Sequence, residues 1–177
     1  SEMCIRDSCT IDPNIGIVEV NDKRLKQLSE IDQPKKVIPA VIEFVDIAGL
    51  VAGASEGEGL GNKFLANIRE TDAIAHVIRC FENDDITHVS GKIDPLSDIQ
   101  TINTELLLSD LAIVEKSLTR LKKLSKTGNK DILSELKVME SIEQELNEGN
   151  FLHDIYQNNK EILKQYNILT TKPFYLI

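Results

Sequence analysis

The sequence predicts an α/β protein carrying an inserted pair of helices, and three observations support this. Two short apolar segments rich in β-branched residues, "IGIVEV" (15–20) and "VIPAVIEFVDIA" (37–48), read as strands. A third, "AIAHVIRCF" (73–81), follows an amphipathic stretch at 60–70, and strand–helix–strand is the order of a parallel βαβ unit. Beyond residue 98 the apolar period lengthens from two to that of a helix.

Each element has its own local reason. After the first strand, Leu25, Leu28 and Ile31 recur at helical spacing over 21–31, and "QPKK" breaks the pattern. The second strand is apolar on both faces from Val41 to Ile47, the pattern of a strand inside a sheet covered by helices. Gly49 to Gly61 reads as loop. In the helix that follows, Phe64, Leu65 and Ile68 are expected to face the core, and Lys63, Asn67 and Arg69 water. The 73–81 strand is expected to be buried, with His76 a satisfied core residue. From Asp98 to Lys126, Leu107, Leu111, Val114, Leu118 and Leu121 step by 4, 3, 4, 3, a coiled-coil seam. "KTGNKD" (126–131) makes a turn with Gly128 and Asn129 at its apex. A second helix, 131–147, aligns Ile132, Leu136, Met139, Ile142 and Leu146, and Gly149 is placed to end it. Two such helices pack antiparallel. The first spans about 42 Å at 1.5 Å per residue, too long for a small sheet, so a projecting hairpin inserted into the α/β domain is expected. "PFYLI" (173–177) reads as a last strand. "SEMCIRDS" (1–8) has neither periodicity nor turn chemistry; it reads as a translated adaptor scar and is set aside.

Composition narrows the functions. With 41% apolar and 28% charged residues in 177, the chain suits one core-bearing domain with an appendage. Aromatics are 5% and Trp is absent, so the core rests on Leu, Ile, Val and Ala. A net charge of −9 argues against a broad grip on nucleic-acid phosphates while allowing a local basic cluster. Cys4, Cys9 and Cys80 form no C-x-x-C pair, so neither a disulfide framework nor a zinc site is expected, and a reducing cytosol fits. There is no apolar run of membrane-spanning length and no export signal, so a cytoplasmic protein with no membrane partner is expected.

The chemistry concentrates after the second strand. Asp46 ends it, and five of the chain's nine glycines follow within residues 49–61. In open parallel sheets ligands bind beyond the carboxyl ends of strands. A carboxylate there can hold hydrated Mg²⁺, and the Gly49 N–H can reach a terminal phosphate. Asp46 and Gly49 form the D-x-x-G switch arrangement of P-loop nucleotide hydrolases. The alternative is that Asp46 caps a turn and the glycines form an ordinary connection. The glycine spacing does not supply the G-x-G-x-x-G of a dinucleotide fold.

A longer resemblance then becomes specific. "EFVDIAGLVAGASEGEGLGNKFLANIRETDAI" and "HVIRCFENDDITHVSGKIDPLSDI" resemble the YchF subfamily of the Obg-like P-loop GTPases and ATPases. "CTIDPNIGIVEV" resembles the family's switch I segment, "TINTELLLSDL" the start of its helical insertion, and "LTTKPFYLI" the strand returning to the core. The likeness covers 9–177. It implies a partial Ras-like sheet from 9–97 and 166–177, the Obg-type nucleotide-binding domain, with the coiled-coil hairpin inserted at 98–165. It also implies ATP or GTP as ligand, Mg²⁺ as cofactor and the ribosome as partner. Carried over by position, Thr10 and Asp46 serve Mg²⁺ and Gly49 the γ-phosphate. Leu50 stands where Ras-like enzymes carry a water-orienting glutamine. Leucine cannot polarise water, whether it belongs to a hydrophobic-substituted hydrolase or is ordinary loop packing. His88 matches the histidine proposed to position the water in its place; the other reading is a surface loop histidine.

The 177 residues contain no G-x-x-x-x-G-K-[ST], which the family places before switch I, and neither its base-recognition motif nor its TGS domain. These residues alone are expected to bind ATP or GTP weakly or not at all, as a fragment, with inner strand edges unpaired. "KSLTRLKKLSKTGNK" (116–130) holds six cations and no acid. Lys116, Arg120, Lys122, Lys123, Lys126 and Lys130 are candidate contacts to ribosomal RNA at the hairpin tip, or else a solvated helix face. The rival from another class is a non-catalytic module whose hairpin recruits a ribosome or protein.

Overall fold

The computed structural model describes residues 14–47, 60–82, 93–153, 155 and 160–177, with the side chains of 60–63 and 160–161 left out. The chain divides into two compact units, Ser1–Gly49 and Leu50–Ile177.

In the first unit, strand β1 (Asn14–Glu19) pairs antiparallel with β2 (Val41–Asp46), and helix α1 (Lys23–Asp32) lies between them in sequence. Asp22 caps α1: its carboxylate accepts the Arg24 N–H at 2.9 Å and pairs with the Arg24 guanidinium at 2.6 Å. Gln33 closes the helix in the left-handed region, φ 46°, its N–H donating to the Ser29 carbonyl. The strands fall where the pattern places them, but the expectation of a buried second strand fails. Ile17 is 64% exposed, Val41 53% and Phe44 46%. A two-stranded ribbon brings no second layer of its own, so apolar side chains on both faces stay open.

The second unit contains the core. Helix α2 (Leu60–Arg69) precedes a short strand, β3 (Ile74–His76), whose parallel partner is β4 (Phe174–Leu176). The expected buried strand over 73–81 is therefore three residues long and half-buried. Its parallel partner among the described residues is β4. A strand with one short neighbour makes few ladder bonds, so its regular pairing ends early.

Helix α3 (Pro95–Leu124), about 45 Å long at 1.5 Å per residue, starts where the Asp94 carboxylate accepts the Ser97 N–H and Pro95 occupies the first turn. A 3-10 turn, Ser125–Thr127, and Gly128 at φ 75° reverse the chain. Helix α4 (Lys130–Asn147) opens under the Asn129 side chain and ends before Gly149, φ 82°. Val114, Leu118, Leu121, Met139, Ile142 and Leu146 form one buried cluster between α3 and α4. Leu152, Leu163 and Ile168 complete it, brought by the chain after α4 and by helix α5 (Lys160–Tyr166). The sequence pattern did not reveal α5. Among the described residues no helix is long and apolar enough to cross a membrane.

Candidate functional site

The antiparallel β1–β2 ladder fixes the position of Asp46. It is the last residue of β2 and stands opposite Asn14, the first of β1. The chain therefore enters β1 and leaves β2 at the same end of the ribbon. Asp46 is exposed there, open to a hydrated cation rather than turned into an apolar interior. Thr10, Gly49, Leu50 and His88 lie outside the described residues. Among the described residues no group of three His, Cys, Asp or Glu side chains could hold a metal ion. Cys80 is a free, exposed thiol, and Cys4 and Cys9 are not among the described residues.

The six cations of 116–130 are all exposed, and the helix geometry spreads them over three places. Lys116, Arg120 and Lys123 line a surface groove of about 570 Å³ with Thr119, Leu124 and Tyr166. Arg120 Nη2 donates to the Tyr166 hydroxyl at 3.0 Å, and that hydroxyl donates to Glu135 on α4. Burial, then the Glu135 carboxylate, pushes the Tyr166 hydroxyl pKa up, against the opposing pull of Arg120. Lys122 points the other way and reaches Glu140 at 3.8 Å, an exposed pair worth little by itself. Lys126 sits in the 3-10 turn and Lys130 starts α4.

The pattern missed a buried polar junction. Asp110 on α3 is fully buried. Its carboxylate accepts the backbone N–H groups of Leu169 at 2.9 Å and Thr170 at 2.7 Å, and Arg69 Nη1 lies 3.5 Å away. Arg69 also donates to the Asn167 carbonyl and the Ser109 hydroxyl, each at 2.6 Å. Lys172 Nζ donates to the Arg69 carbonyl at 2.8 Å and to the Thr71 carbonyl, closing the end of α2. The expectation that Arg69 faces water is thus corrected: its partner is a carboxylate in the core. Burial pushes the Asp110 carboxyl up, while the two N–H groups and Arg69 pull it down. A signal existed. Asp110 follows Leu107 by three and precedes Val114 by four, so it sits on the apolar face of α3.

His76 also departs from expectation. Its ring meets Phe174 edge-on, centroids 6.0 Å apart, but its buried Nδ1 has no hydrogen-bond partner. Burial pushes its pKa down, with Asp98 opposing. A ring beside a three-residue ladder finds apolar neighbours more readily than an acceptor.

A family model described as "50S ribosome-binding GTPase" matches residues 5–132. The chain is 58% identical over 167 residues to "Ribosome-binding ATPase YchF" of Haemophilus influenzae, covering 93% of this chain and 46% of the relative. It is 52% identical to the protein of that name in Escherichia coli O157:H7 and 50% to the one in Bacillus subtilis, with the same coverage. The solved "Structure of the Schizosaccharomyces pombe YchF GTPase" superposes with a TM-score of 0.73 at 37% identity, covering 98% of this chain and 48% of that one. The chain thus spans about half the length of the curated relatives it matches.

Proposed function

The chain belongs to the YchF subfamily of the Obg-like GTPases, and from that premise we propose that it forms part of a ribosome-associated, Mg²⁺-dependent ATPase or GTPase of the cytoplasm. The observation that carries this reading is the exposed Asp46 carboxylate at the ribbon end where the chain enters β1 and leaves β2. In the intact protein Thr10 and Asp46 would hold Mg²⁺, which would neutralise phosphate charge, Gly49 would meet the γ-phosphate and His88 would position the attacking water. Leu50, unable to hydrogen-bond, leaves that task to another residue. Catalysis of this kind rests on positioning and charge neutralisation rather than on a covalent step. The domain division follows the same reading: residues 9–97 and 166–177 in the nucleotide-binding domain, 98–165 as a coiled-coil hairpin inserted into it.

The test has two parts. The gene should encode a G-x-x-x-x-G-K-[ST] segment upstream of codon 9, and the protein carrying it should release phosphate from Mg·ATP or Mg·GTP. Asp46→Asn should lower that release at least tenfold, an effect of roughly 1.4 kcal/mol or more on the barrier. A start codon near residue 3 with no upstream segment would refute the enzyme reading. The outcome would then favour a non-catalytic module, for which the self-contained core between α3 and α4 speaks.

The ribosome contact is assigned to the cations of 116–130. Co-sedimentation with ribosomes should weaken sharply with salt and be lost in Lys122→Glu with Lys123→Glu. Unchanged sedimentation would remove that assignment.

A further inference from the structure

We propose that Asp110, on the hairpin helix α3, is a positioning residue for nucleotide hydrolysis: acting through Arg69, it fixes helix α2, the element into which the glycine-rich segment after Asp46 and Gly49 runs. This role rests on the hydrolase reading above. In sequence that segment extends from Gly49 to Gly61, and α2 opens at Leu60. A helix of ten residues extends about 14 Å at 1.5 Å per residue, so what holds its last turn also sets where its first turn stands.

The last turn of α2 is held from two directions. Arg69 donates to the Ser109 hydroxyl on α3 and to the Asn167 carbonyl, each at 2.6 Å, with the Asp110 carboxylate 3.5 Å away. Lys172 Nζ returns to the Arg69 carbonyl at 2.8 Å and to the Thr71 carbonyl. Asp110 joins the two directions. Fully buried on α3, it accepts the N–H groups of Leu169 and Thr170 on the segment that leads to β4. A buried carboxylate that loses its cation keeps the cost of burial without the compensating charge. Helix α2 therefore cannot slide along α3 without stranding Asp110, and the junction gives it one position rather than several.

Hydrolysis of the proposed kind depends on such positioning. The phosphate cradle of the family, G-x-x-x-x-G-K-[ST], precedes switch I and is no part of α2. A misplaced α2 should thus forfeit contacts made in the transition state while nucleotide still binds, which lowers kcat and spares KM. A purely structural Asp110 makes a different forecast: any equal loss of stability in the helical core would act alike. Met139 supplies that control, because it lies in the buried α3–α4 cluster, to which α2 gives no residue among those described.

Phosphate release from Mg·ATP and Mg·GTP by the full-length protein is one arm of the test. Arg69→Gln and Asp110→Asn should each lower kcat about tenfold, with KM within about twofold. Arg69→Lys, which keeps a charge beside Asp110, should return to within about threefold of wild type. The double variant should lose no more than about threefold beyond the worse single one, because the two residues act as a unit. Met139→Ala should keep kcat within about twofold. Thermal unfolding sets an assay temperature at which every variant is folded. If Asp110→Asn does not fold, Arg69→Gln carries the test, since it leaves both N–H bonds of Asp110 in place. The other arm is amide hydrogen exchange of the 177-residue chain without nucleotide. Residues 64–69 should exchange roughly tenfold faster in Arg69→Gln, with 139–146 unchanged. An unaltered kcat in Arg69→Gln overturns the proposal, as does an equal fall in Met139→Ala or unaltered exchange over 64–69. A wild type that releases no phosphate removes the hydrolase reading and this role with it. A wild type that turns over no faster than Arg69→Gln removes this role alone.

Discussion

The α3–α4 pair and the β1–β2 ribbon both carry regularly spaced apolar side chains, and their burial is opposite. Val114, Met139 and Ile142 are fully buried, whereas Ile15 is 61% and Val41 53% exposed. The difference lies in where the covering layer comes from. Two amphipathic helices joined by a short turn bury their stripes against each other within about fifty consecutive residues. A two-stranded ribbon satisfies its backbone on one edge per strand and leaves its faces to whatever else packs on them. Apolar periodicity states that a side chain favours burial; it does not state that this stretch of chain supplies the cover.

Substitutions test that contrast. The largest effect belongs to the polar junction that ties the helical pair to its surroundings. Asp110→Ala strands two backbone N–H groups and Arg69, and should cost about 3–5 kcal/mol in urea unfolding. Met139→Ala should cost about 2–5 kcal/mol, while Ile17→Ala on the ribbon should stay within about 0.5 kcal/mol. Similar losses at Met139 and Ile17 would break the comparison. Next is the turn that makes the helical pair self-sufficient. Gly128 sits at φ 75° with open space around it, so Gly128→Ala should cost about 1–2 kcal/mol through backbone conformation alone. The smallest effect is a pH dependence. The folded state holds the His76 pKa below its unfolded value, so the unfolded chain binds the proton more readily. That contribution is full above the ordinary histidine value of about 6.5 and fades as pH falls below it. His76→Phe should flatten the urea midpoint across that range; an unchanged slope would show that His76 does not set it.

The legibility of the fold follows the same division. The helices, their turn and Gly149 could be read because the signals are local: a stripe of period near 3.5, a glycine at φ above zero and a side-chain cap each act within a few residues. Helix α5 was missed because only seven residues long, it carries too little pattern to announce itself. The strands could be located but not their neighbours, because pairing joins residues distant in sequence, as Ile74 of β3 pairs with Phe174 of β4. Asp110 was legible in principle as an acid on an apolar stripe, but its partners at Arg69 and at 169–170 depend on tertiary contact. Of the site, Asp46 could be read from its place after an apolar strand, and the fold leaves it exposed at a strand end. The groove beside Tyr166 was not legible, since its cations belong to α3 and its ring to the end of α5.

The central claim is that Asp46 serves a metal-bound triphosphate. Titration of the chain with ATP and GTP up to millimolar concentration, with and without Mg²⁺, for the wild type and Asp46→Asn, tests it most directly. The predicted result is weak binding that requires Mg²⁺ and falls at least tenfold in the variant. Binding of equal strength in both proteins, or binding indifferent to Mg²⁺, would contradict it.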